Sequence, residues 1–246
     1  MNPVSEIYGL VRLLRHYGKK RDNKMKIKGA IFDMDGTLVN SLTFWEYAWP
    51  IFGEKYLGNK DFYPSAEDDK AIRTMTMLLC WEHMIKQYGF PKSAEELTNE
   101  TNDLCEKYYK EVVDVKDGTF EFLEYLKSKG IRMCVASATA KYLVEMVVKH
   151  FGLDKYIEKV ISCADIGKGK DCPDVFIAAA EYLGADISET CVFEDSALAV
   201  KTAKTAGFNT VGIYDKYNYD HDILEANSDI YIADGETVMK AAKYIQ

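Results

Sequence analysis

The sequence predicts an α/β protein, a doubly wound parallel sheet with a Rossmann-like core and an inserted α-helical cap domain. Three observations predict it: apolar runs alternate with helical patterns after residue 115, one further apolar run stands at residues 30–32, and helical patterns alone fill the interval between them. Strands separated by helices need right-handed crossovers, which align the strands in parallel. The chain has 246 residues, which is enough to bury the core of one such domain with an insertion.

The sheet and its covering helices follow from the spacing of apolar residues. The first strand lies in AIFDMDGTLVN, residues 30–40. The remaining strands share a short apolar run, and we expect them at residues 131–136, 156–162, 190–194, 209–214 and 229–233. Helical spacing predicts helices at residues 119–129, 140–151, 174–183, 196–206 and 235–244.

The interval between the first strand and the rest of the sheet predicts three or four helices. An insertion after the first strand leaves the sheet at its carboxyl edge, where doubly wound sheets bind their ligands. We therefore expect a core of residues 25–40 and 115–246, with a helical cap of residues 41–114. Residues 1–24 are expected to be an N-terminal extension, either dispensable, with Met25 as the initiator, or a small interaction helix.

Composition and charge exclude several classes of partner. The formal net charge is −8 and the only basic cluster lies at residues 19–28, so neither nucleic acid nor an anionic membrane is expected as a partner. No apolar segment has the length of a membrane span and the N-terminus lacks a secretory signal, which favours the cytoplasm. The six cysteines form no CxxC pair and are expected to be free buried thiols. A monomer is the simplest expectation.

Two acids, Asp33 and Asp35, directly follow the first apolar strand. Burying carboxylates there costs desolvation and mutual repulsion, so a cation or a reaction is expected to use them. Asp33 has the chemistry of a nucleophile that forms an acyl phosphate, and Asp35 can serve as general acid and base. Gly36 permits a sharp exit from the strand, and Thr37 offers a hydroxyl or an amide to a substrate phosphate.

Two further segments at strand ends supply phosphate-binding groups. Ser137 and the amide of Ala138 form a hydroxyl and N–H cradle for a phosphate, although a helix N-cap is the alternative role for the serine. Lys170, in GKGKDCPD, stabilises negative charge during phosphoryl transfer and offsets the charge of Asp33. Lys168 is the alternative lysine in this segment.

A second pair of acids, Glu194 and Asp195, ends the strand at residues 190–194. With Asp33 and the backbone carbonyl of Asp35, these acids form an oxygen-rich site of the kind that Mg²⁺ prefers. The alternative is an exposed acidic turn that caps the next helix. Because two strands of one sheet end in paired acids, the metal site is the favoured interpretation.

The four segments DMDGT, ASAT, GKGKDCPD and VFEDS, in this order, resemble the motifs of the haloacid dehalogenase-like hydrolases. The resemblance spans residues 27–214 and is to the helical-cap branch, which includes phosphoglycolate phosphatase and beta-phosphoglucomutase. It implies that Asp33 is the nucleophile and Asp35 the general acid and base. It also implies two groups that bind phosphate, Ser137 and Lys170, and two that hold Mg²⁺, Asp195 and the adjacent Glu194.

This chain departs from the family pattern in three places. Asp171 and Cys172 replace a proline and its neighbour after the motif lysine, which affects the expected shape of that loop. Asn40 stands where relatives often carry aspartate, and it is expected to cap the first cap helix. Trp45 stands where sugar phosphomutases of this branch carry histidine, which argues against a mutase.

These observations together predict a Mg²⁺-dependent phosphomonoester hydrolase that acts through an aspartyl-phosphate on a small phosphorylated metabolite. A sugar phosphomutase of the beta-phosphoglucomutase type is the alternative enzyme. A dehalogenase needs no metal and hence no acidic pair at residues 194 and 195. The non-enzymatic alternative is a receiver-like phosphorylation switch, which has little use for a lid.

The cap offers few candidates for contacts with the rest of the substrate. Arg73, which the sequence leaves unpaired, is the cap residue best suited to bind a second anionic group of the substrate. The alternative is that its guanidinium lies at the protein surface. The other candidates are Trp45, Trp49, Trp81 and His83. Aromatic residues at helical spacing are more often part of a cap core than of a pocket wall.

Overall fold

In the part of the chain that the structure describes, six parallel strands form one sheet. The computed structural model describes residues 24–73 and 75–246. The strands are β1 (Gly29–Phe32), β2 (Arg132–Ser137), β3 (Val160–Ser162), β4 (Thr190–Glu194), β5 (Asn209–Ile213) and β6 (Ile230–Ile232). Their order across the sheet is β3-β2-β1-β4-β5-β6, and every pairing is parallel. The predicted doubly wound sheet is confirmed.

Helices cover both faces of the sheet and fill the interval between β1 and β2. Those in the interval are α1 (Phe44–Phe52), α2 (Ala66–Ile72), α3 (Met77–Tyr88) and α4 (Ala94–Glu111), with a π-helical turn at Gly53–Leu57. Those that follow are α5 (Thr119–Ser128), α6 (Lys141–His150), α7 (Cys163–Ile166), α8 (Asp174–Leu183), α9 (Ala197–Thr205) and α10 (His221–Asn227). The predicted number of inserted helices agrees with the described residues, and the domain boundaries at residues 40 and 115 stay a prediction.

The sheet is buried on both faces because consecutive side chains of its central strands point to opposite layers. Phe32 of β1 stacks on Phe193 of β4 with 4.5 Å between ring centroids, and Phe122 of α5 packs edge-on against both rings. Their neighbours Ile31 and Val192 lie in a separate core on the other face, together with α8. Since Phe32 and Phe193 are paired across the ladder, the residues after them leave the sheet side by side.

Aromatic side chains pack together in the helical insertion (residues 41–114) and are continuous with the apolar cluster on the Phe32 face of the sheet. Trp49 of α1 and Trp81 of α3 are fully buried with 5.6 Å between their ring centroids, and Phe90 packs edge-on against Trp81. The Trp81 indole N–H donates to the Thr101 hydroxyl at 2.8 Å, which joins α3 to α4. Trp49 and Trp81 are therefore core residues of the insertion.

The chain enters and leaves this insertion through two adjacent linkers. The Asn40 N–H donates to the Asp114 carbonyl, and the Lys116 N–H donates to the Leu38 carbonyl, each at 2.9 Å. Both linkers lie beyond the end of β1. The two linkers, joined in this way, form the covalent attachment of the insertion at the carboxyl edge of the sheet.

Several local features differ from the sequence prediction. Asn40 does not cap α1, because the helix begins only at Phe44 and the Asn40 backbone pairs with the other linker. The C-terminal helix is a 3₁₀ segment at Val238–Lys243, which begins after the left-handed Gly235 and is shorter than expected. The pattern does not predict α10, which has seven residues and buries only Leu224.

Three further predictions concern the cysteines, membrane-spanning helices and the N-terminal extension. All six cysteines are free; five are buried and Cys172 is half-buried. No helix in the described ranges combines the length and the hydropathy that a bilayer span requires. The predicted N-terminal extension lies, up to residue 23, outside the described residues.

Candidate active site

The candidate site lies at the carboxyl edge of the sheet, where β1, β2 and β4 end. Asp33 follows β1 directly, and its backbone N–H donates to the Phe193 carbonyl at 2.9 Å. Lys170, from the loop between α7 and α8, donates to the carboxylates of both Asp33 and Glu194. All three of these side chains are more than nine-tenths buried. One buried ammonium therefore joins the ends of the two central strands.

The structure distinguishes between the two lysines of GKGKDCPD. Lys168 is exposed and pairs with Asp174 at the start of α8, with 2.6 Å between Nζ and the carboxylate. Lys170, two residues later, is buried against Asp33. The loop with the unusual Asp171 and Cys172 thus still carries a lysine into the site.

Asp195 is held on both sides of its carboxylate. The Thr37 hydroxyl donates to Oδ1 at 3.3 Å, and the Asn218 side-chain amide donates to Oδ2 at 2.8 Å. Gly36 lies against the same carboxylate with a left-handed φ of 77°, and a Cβ there would lie 2.3 Å from Asp195 Oδ2. Gly36 is therefore required both by its backbone conformation and by the close approach of the acid.

Burial and charge act in opposite directions on these groups. Burial raises the pKa of Asp33 well above its usual range, and the Lys170 ammonium opposes that shift. Burial alone would lower the pKa of Lys170, but the charges of Asp33 and Glu194 outweigh it and raise that pKa above its usual range. Burial and the neighbouring Glu194 raise the pKa of Asp195 to about 8. The cluster therefore carries more acids than its one ammonium compensates.

Three carboxylates of this cluster fit a divalent cation. Asp33, Glu194 and Asp195 each offer an oxygen, and these atoms lie within 4.8 Å of one another. All three residues are buried, and Lys170 neutralises only part of their charge. Because Mg²⁺ prefers carboxylate oxygens and dehydrates only in part, a compact acidic site open to a cavity suits it. A contribution from the Asp35 carbonyl stays a prediction.

The Asp35 carboxylate accepts hydrogen bonds from three hydroxyl groups. Ser41, in the first linker, and Tyr109, near the end of α4, donate to Oδ1 at 2.6 and 2.7 Å. Thr139, just beyond β2, donates to Oδ2 at 2.8 Å. Burial and the Asp35 charge raise the pKa of Tyr109 well above its usual range, so its hydroxyl stays a donor. Asp35 is thus oriented jointly by the sheet and by both ends of the helical insertion.

The predicted phosphate-binding residues lie in two places. Ser137, at the end of β2, and Ala138 line the same cavity as the acids, and Lys170 also lines it. Ser137 is not a helix N-cap, because α6 begins only after Ala140. Thr37 is buried with its hydroxyl on the Asp195 carboxylate and does not line this cavity. The roles of these residues toward a phosphate stay predictions.

A cavity of about 130 Å³ lies between this edge of the sheet and the helical insertion, and Trp45 and Arg73 line it from the insertion side. The interpretation of Arg73 as unpaired is wrong, because its guanidinium donates twice to Asp69 Oδ2, at 2.8 and 2.9 Å. Its Nη1 is buried without a hydrogen-bond partner among the described residues. His83 pairs with Asp68 at 2.6 Å and does not line the cavity.

Four residues that contact the acids escaped the sequence analysis, namely Ser41, Tyr109, Thr139 and Asn218. Thr139 belongs to the ASAT segment, so its position beside a predicted phosphate contact was an available signal. Tyr109 and Asn218 lie 74 and 23 residues away from the acids that they contact. No local pattern marks such residues, because only the folded chain brings them to the site.

Known proteins match most of this chain in sequence. A family model described as haloacid dehalogenase-like hydrolase matches residues 27–207. A phosphorylated carbohydrates phosphatase of Thermotoga maritima is 24% identical over 223 residues, which cover 89% of this chain and 100% of that protein. A beta-phosphoglucomutase of Mycobacterium bovis is 26% identical over 212 residues, which cover 76% of this chain and 80% of that protein.

Among solved structures, CbbY from Rhodobacter sphaeroides in complex with phosphate superposes with a TM-score of 0.72 at 20% sequence identity. The match covers 83% of this chain and 93% of that chain. At this level of identity, the likeness concerns the fold: a parallel sheet with helices on both faces.

Replacing Lys170 by Met is expected to lower the free energy of unfolding by about 3–5 kcal/mol, because it leaves Asp33 and Glu194 buried without their cation. Lys168→Met is the matched control, since it removes an exposed pair from the same loop. Urea unfolding of both variants in Mg²⁺-free buffer measures the difference. Equal stabilities of the two variants would contradict the central place given to Lys170.

Replacing Gly36 by Ala is expected to weaken Mg²⁺ binding, because the new methyl group displaces the Asp195 carboxylate. The expected loss of affinity is at least about tenfold, as is typical when contacts around metal ligands are disturbed. Gly58→Ala is the matched control, since Gly58 has a similar left-handed φ of 65° but nothing within 4 Å of the added Cβ. Isothermal titration with MgCl₂ compares them. Equal affinities would show that the approach of Gly36 to Asp195 is unimportant.

Proposed function

The chain belongs to the haloacid dehalogenase-like hydrolases, and we propose that it is a Mg²⁺-dependent phosphatase that hydrolyses a small phosphorylated metabolite through an aspartyl-phosphate on Asp33. The observation that carries the proposal is the pairing of buried Asp33 with Lys170 at a cavity that a second carboxylate, Asp35, also lines. A carboxylate nucleophile, a proton donor and a fixed cation at one cavity are the groups that this two-step chemistry needs.

In the first step, a carboxylate oxygen of Asp33 attacks the phosphorus in line with the ester bond. The bond between phosphorus and the ester oxygen breaks, and Asp35 gives its proton to the departing alcohol. The Lys170 ammonium opposes the burial that raises the pKa of Asp33 and so favours the ionised, nucleophilic form of that acid. The products of this step are the free alcohol and an acyl phosphate on Asp33.

In the second step, Asp35, now ionised, takes a proton from a water molecule whose oxygen attacks the phosphorus. The bond between phosphorus and Asp33 breaks, which releases inorganic phosphate and restores the carboxylate. The sum of the steps is hydrolysis of one phosphomonoester. The hydroxyl groups of Ser41, Tyr109 and Thr139 fix the carboxylate that moves both protons.

Several groups compensate the negative charge of the transferred phosphoryl group. Lys170 and the hydroxyl of Ser137, which line the cavity, stabilise the phosphoryl oxygens. Asp33, Glu194 and Asp195 would hold Mg²⁺, which when bound neutralises charge that develops on the phosphoryl group. Asn218 and Thr37 keep the Asp195 carboxylate in one orientation for that purpose.

The helical insertion acts as a lid in this proposal. It forms one side of the cavity and limits the access of bulk water to the acyl phosphate. The cavity of about 130 Å³ is smaller than the pockets that hold drug-sized ligands, which favours a small metabolite as substrate. Arg73 lines this cavity, and its Nη1, which has no hydrogen-bond partner among the described residues, offers a donor to a polar group of that metabolite.

A sugar phosphomutase is the second candidate, because a relative of 26% identity bears the name beta-phosphoglucomutase. Trp45 stands at the position where sugar phosphomutases of this branch carry histidine. It lines the cavity and stacks on Trp49 with 4.7 Å between ring centroids. A tryptophan cannot supply the proton-transferring group of a histidine. Product analysis with a hexose 1-phosphate separates the candidates, since free phosphate supports the phosphatase and an isomerised sugar phosphate supports the mutase.

The Asp33→Asn variant is expected to lose more than about 10³-fold in kcat, because the amide is not a nucleophile for phosphorus. The measurement is phosphate release from a panel of phosphorylated metabolites with MgCl₂. Asp165→Asn is the control, since it replaces an exposed carboxylate after β3. Retained turnover by Asp33→Asn would contradict the mechanism, and turnover of no panel member by the natural chain would contradict the substrate class.

A further inference from the structure

The loop that follows β5, residues 215–220, contacts the acidic cluster on one side and the helical insertion on the other. Asn218 contacts Asp195, and the two residues after it contact α2. This 215–220 loop therefore connects the sheet and the insertion at a place separate from the two linkers at residues 40 and 115 and from the Tyr109–Asp35 contact.

Asn218 holds Asp195 through two hydrogen bonds. Its Nδ2 donates to Asp195 Oδ2 at 2.8 Å and to the Asp195 backbone carbonyl at 3.2 Å. Its Oδ1 accepts from the Tyr219 N–H at 2.9 Å, which fixes the amide relative to the next residue of the loop. A shift of Tyr219 therefore changes the direction from which Asn218 meets the carboxylate.

Tyr219 and Asp220 attach the same loop to α2. The Tyr219 hydroxyl donates to Asp69 Oδ2 at 2.6 Å, and Asp69 is itself only 1% exposed and paired with Arg73 at the cavity wall. Lys70 pairs with Asp220 with 2.6 Å between Nζ and Oδ2. These contacts exist only while α2 lies against the loop, so they depend on the position of the insertion.

The loop is held in one conformation by its first residue. Asp215 is buried, its carbonyl accepts from the Asn218 N–H at 3.0 Å, and its carboxylate pairs with Lys116 of the second linker at 2.7 Å. Asp220 has a φ of 58°, the only positive φ of a non-glycine residue in the described ranges. The contacts of Asp215 and the unusual backbone of Asp220 therefore restrict the conformations open to the loop between them.

We infer that Asn218 is a positioning residue for Asp195 and that the 215–220 loop couples closure of the helical insertion to the orientation of this metal ligand. The inference deepens the proposed function and rests on Asp195 as a ligand of Mg²⁺. Closure of the insertion, through Tyr219 and Asp69, sets Asn218 against the Asp195 carboxylate and so favours Mg²⁺ binding. By reciprocity, Mg²⁺ binding favours the closed insertion to the same extent.

The test is Mg²⁺ affinity, measured by isothermal titration of the full chain without substrate. Asn218→Ala is expected to weaken binding about tenfold, as loss of a group that orients a metal ligand does. Tyr219→Phe removes only the hydroxyl that contacts Asp69 and is expected to weaken binding about fivefold, at the lower end of coupling between sites. The double variant is expected to bind like Asn218→Ala alone, because both substitutions interrupt one connection.

Tyr125→Phe is the matched control for Tyr219→Phe. The Tyr125 hydroxyl donates to the carbonyls of Ala242 and Ile245, remote from the cluster, so its loss is expected to leave Mg²⁺ affinity unchanged. Unchanged affinity in Tyr219→Phe, or additive losses in the double variant, would overturn the coupling. Absence of saturable Mg²⁺ binding by the natural chain would instead overturn the metal site of the proposed function, and this inference with it.

Hydrogen exchange of the natural chain and of Tyr219→Phe gives a second readout. Mg²⁺ is expected to slow amide exchange in α2, which touches no carboxylate of the proposed metal site, and Tyr219→Phe is expected to lose this protection. Exchange in α2 that Mg²⁺ leaves unchanged would contradict the coupling even if Asn218→Ala fails to fold.

Discussion

The buried ammonium of Lys170 is the interaction on which the rest of the site depends. It contacts carboxylates that follow two adjacent strands, Asp33 after β1 and Glu194 at the end of β4. A buried carboxylate without a partner either loses its charge or destabilises the fold, so these strand ends need a cation between them. The same contact opposes the burial that raises the pKa of Asp33 and so favours its ionised, nucleophilic form. One interaction therefore contributes both to stability and to the proposed chemistry.

The sheet and the helical insertion contribute different kinds of groups to the site around Lys170. The sheet supplies the acids and the lysine, all at the ends of buried strands or in the loop before α8. The helical insertion supplies neutral or neutralised groups: the Tyr109 hydroxyl on Asp35, and the Arg73 guanidinium already paired with Asp69. The acids and the lysine therefore belong to the sheet and its loops, while the insertion contributes a hydroxyl that orients Asp35 and one wall of the cavity.

Patterns of neighbouring residues predicted those elements whose formation depends on the local sequence. The run TCVFE forms β4 over its full length because every residue in it is buried, whereas β3 begins four residues later than its pattern indicates, after the exposed Glu158 and Lys159. The acids at the strand ends were found because parallel strands bring their carboxyl ends to one edge. The contacts of Tyr109, Asn218 and Tyr219 were missed because they depend on how the insertion and the loop after β5 fold back over that edge. The pairing of Arg73 was missed although Asp69 lies one helical turn earlier. The sequence around Arg73 is equally compatible with an arginine that faces the solvent or binds a substrate.

The central claim is that Asp33 carries the phosphoryl group between the two steps. The most direct measurement mixes the natural chain with its fastest phosphomonoester substrate, stops the reaction with acid within one turnover and determines the mass of the peptic peptide that contains residues 29–40. Acid preserves an acyl phosphate long enough for this measurement. The proposed mechanism predicts that the mass of this peptide increases by one phosphoryl group. A peptide that stays unmodified while phosphate is released, or a phosphoryl group on another residue, would contradict it.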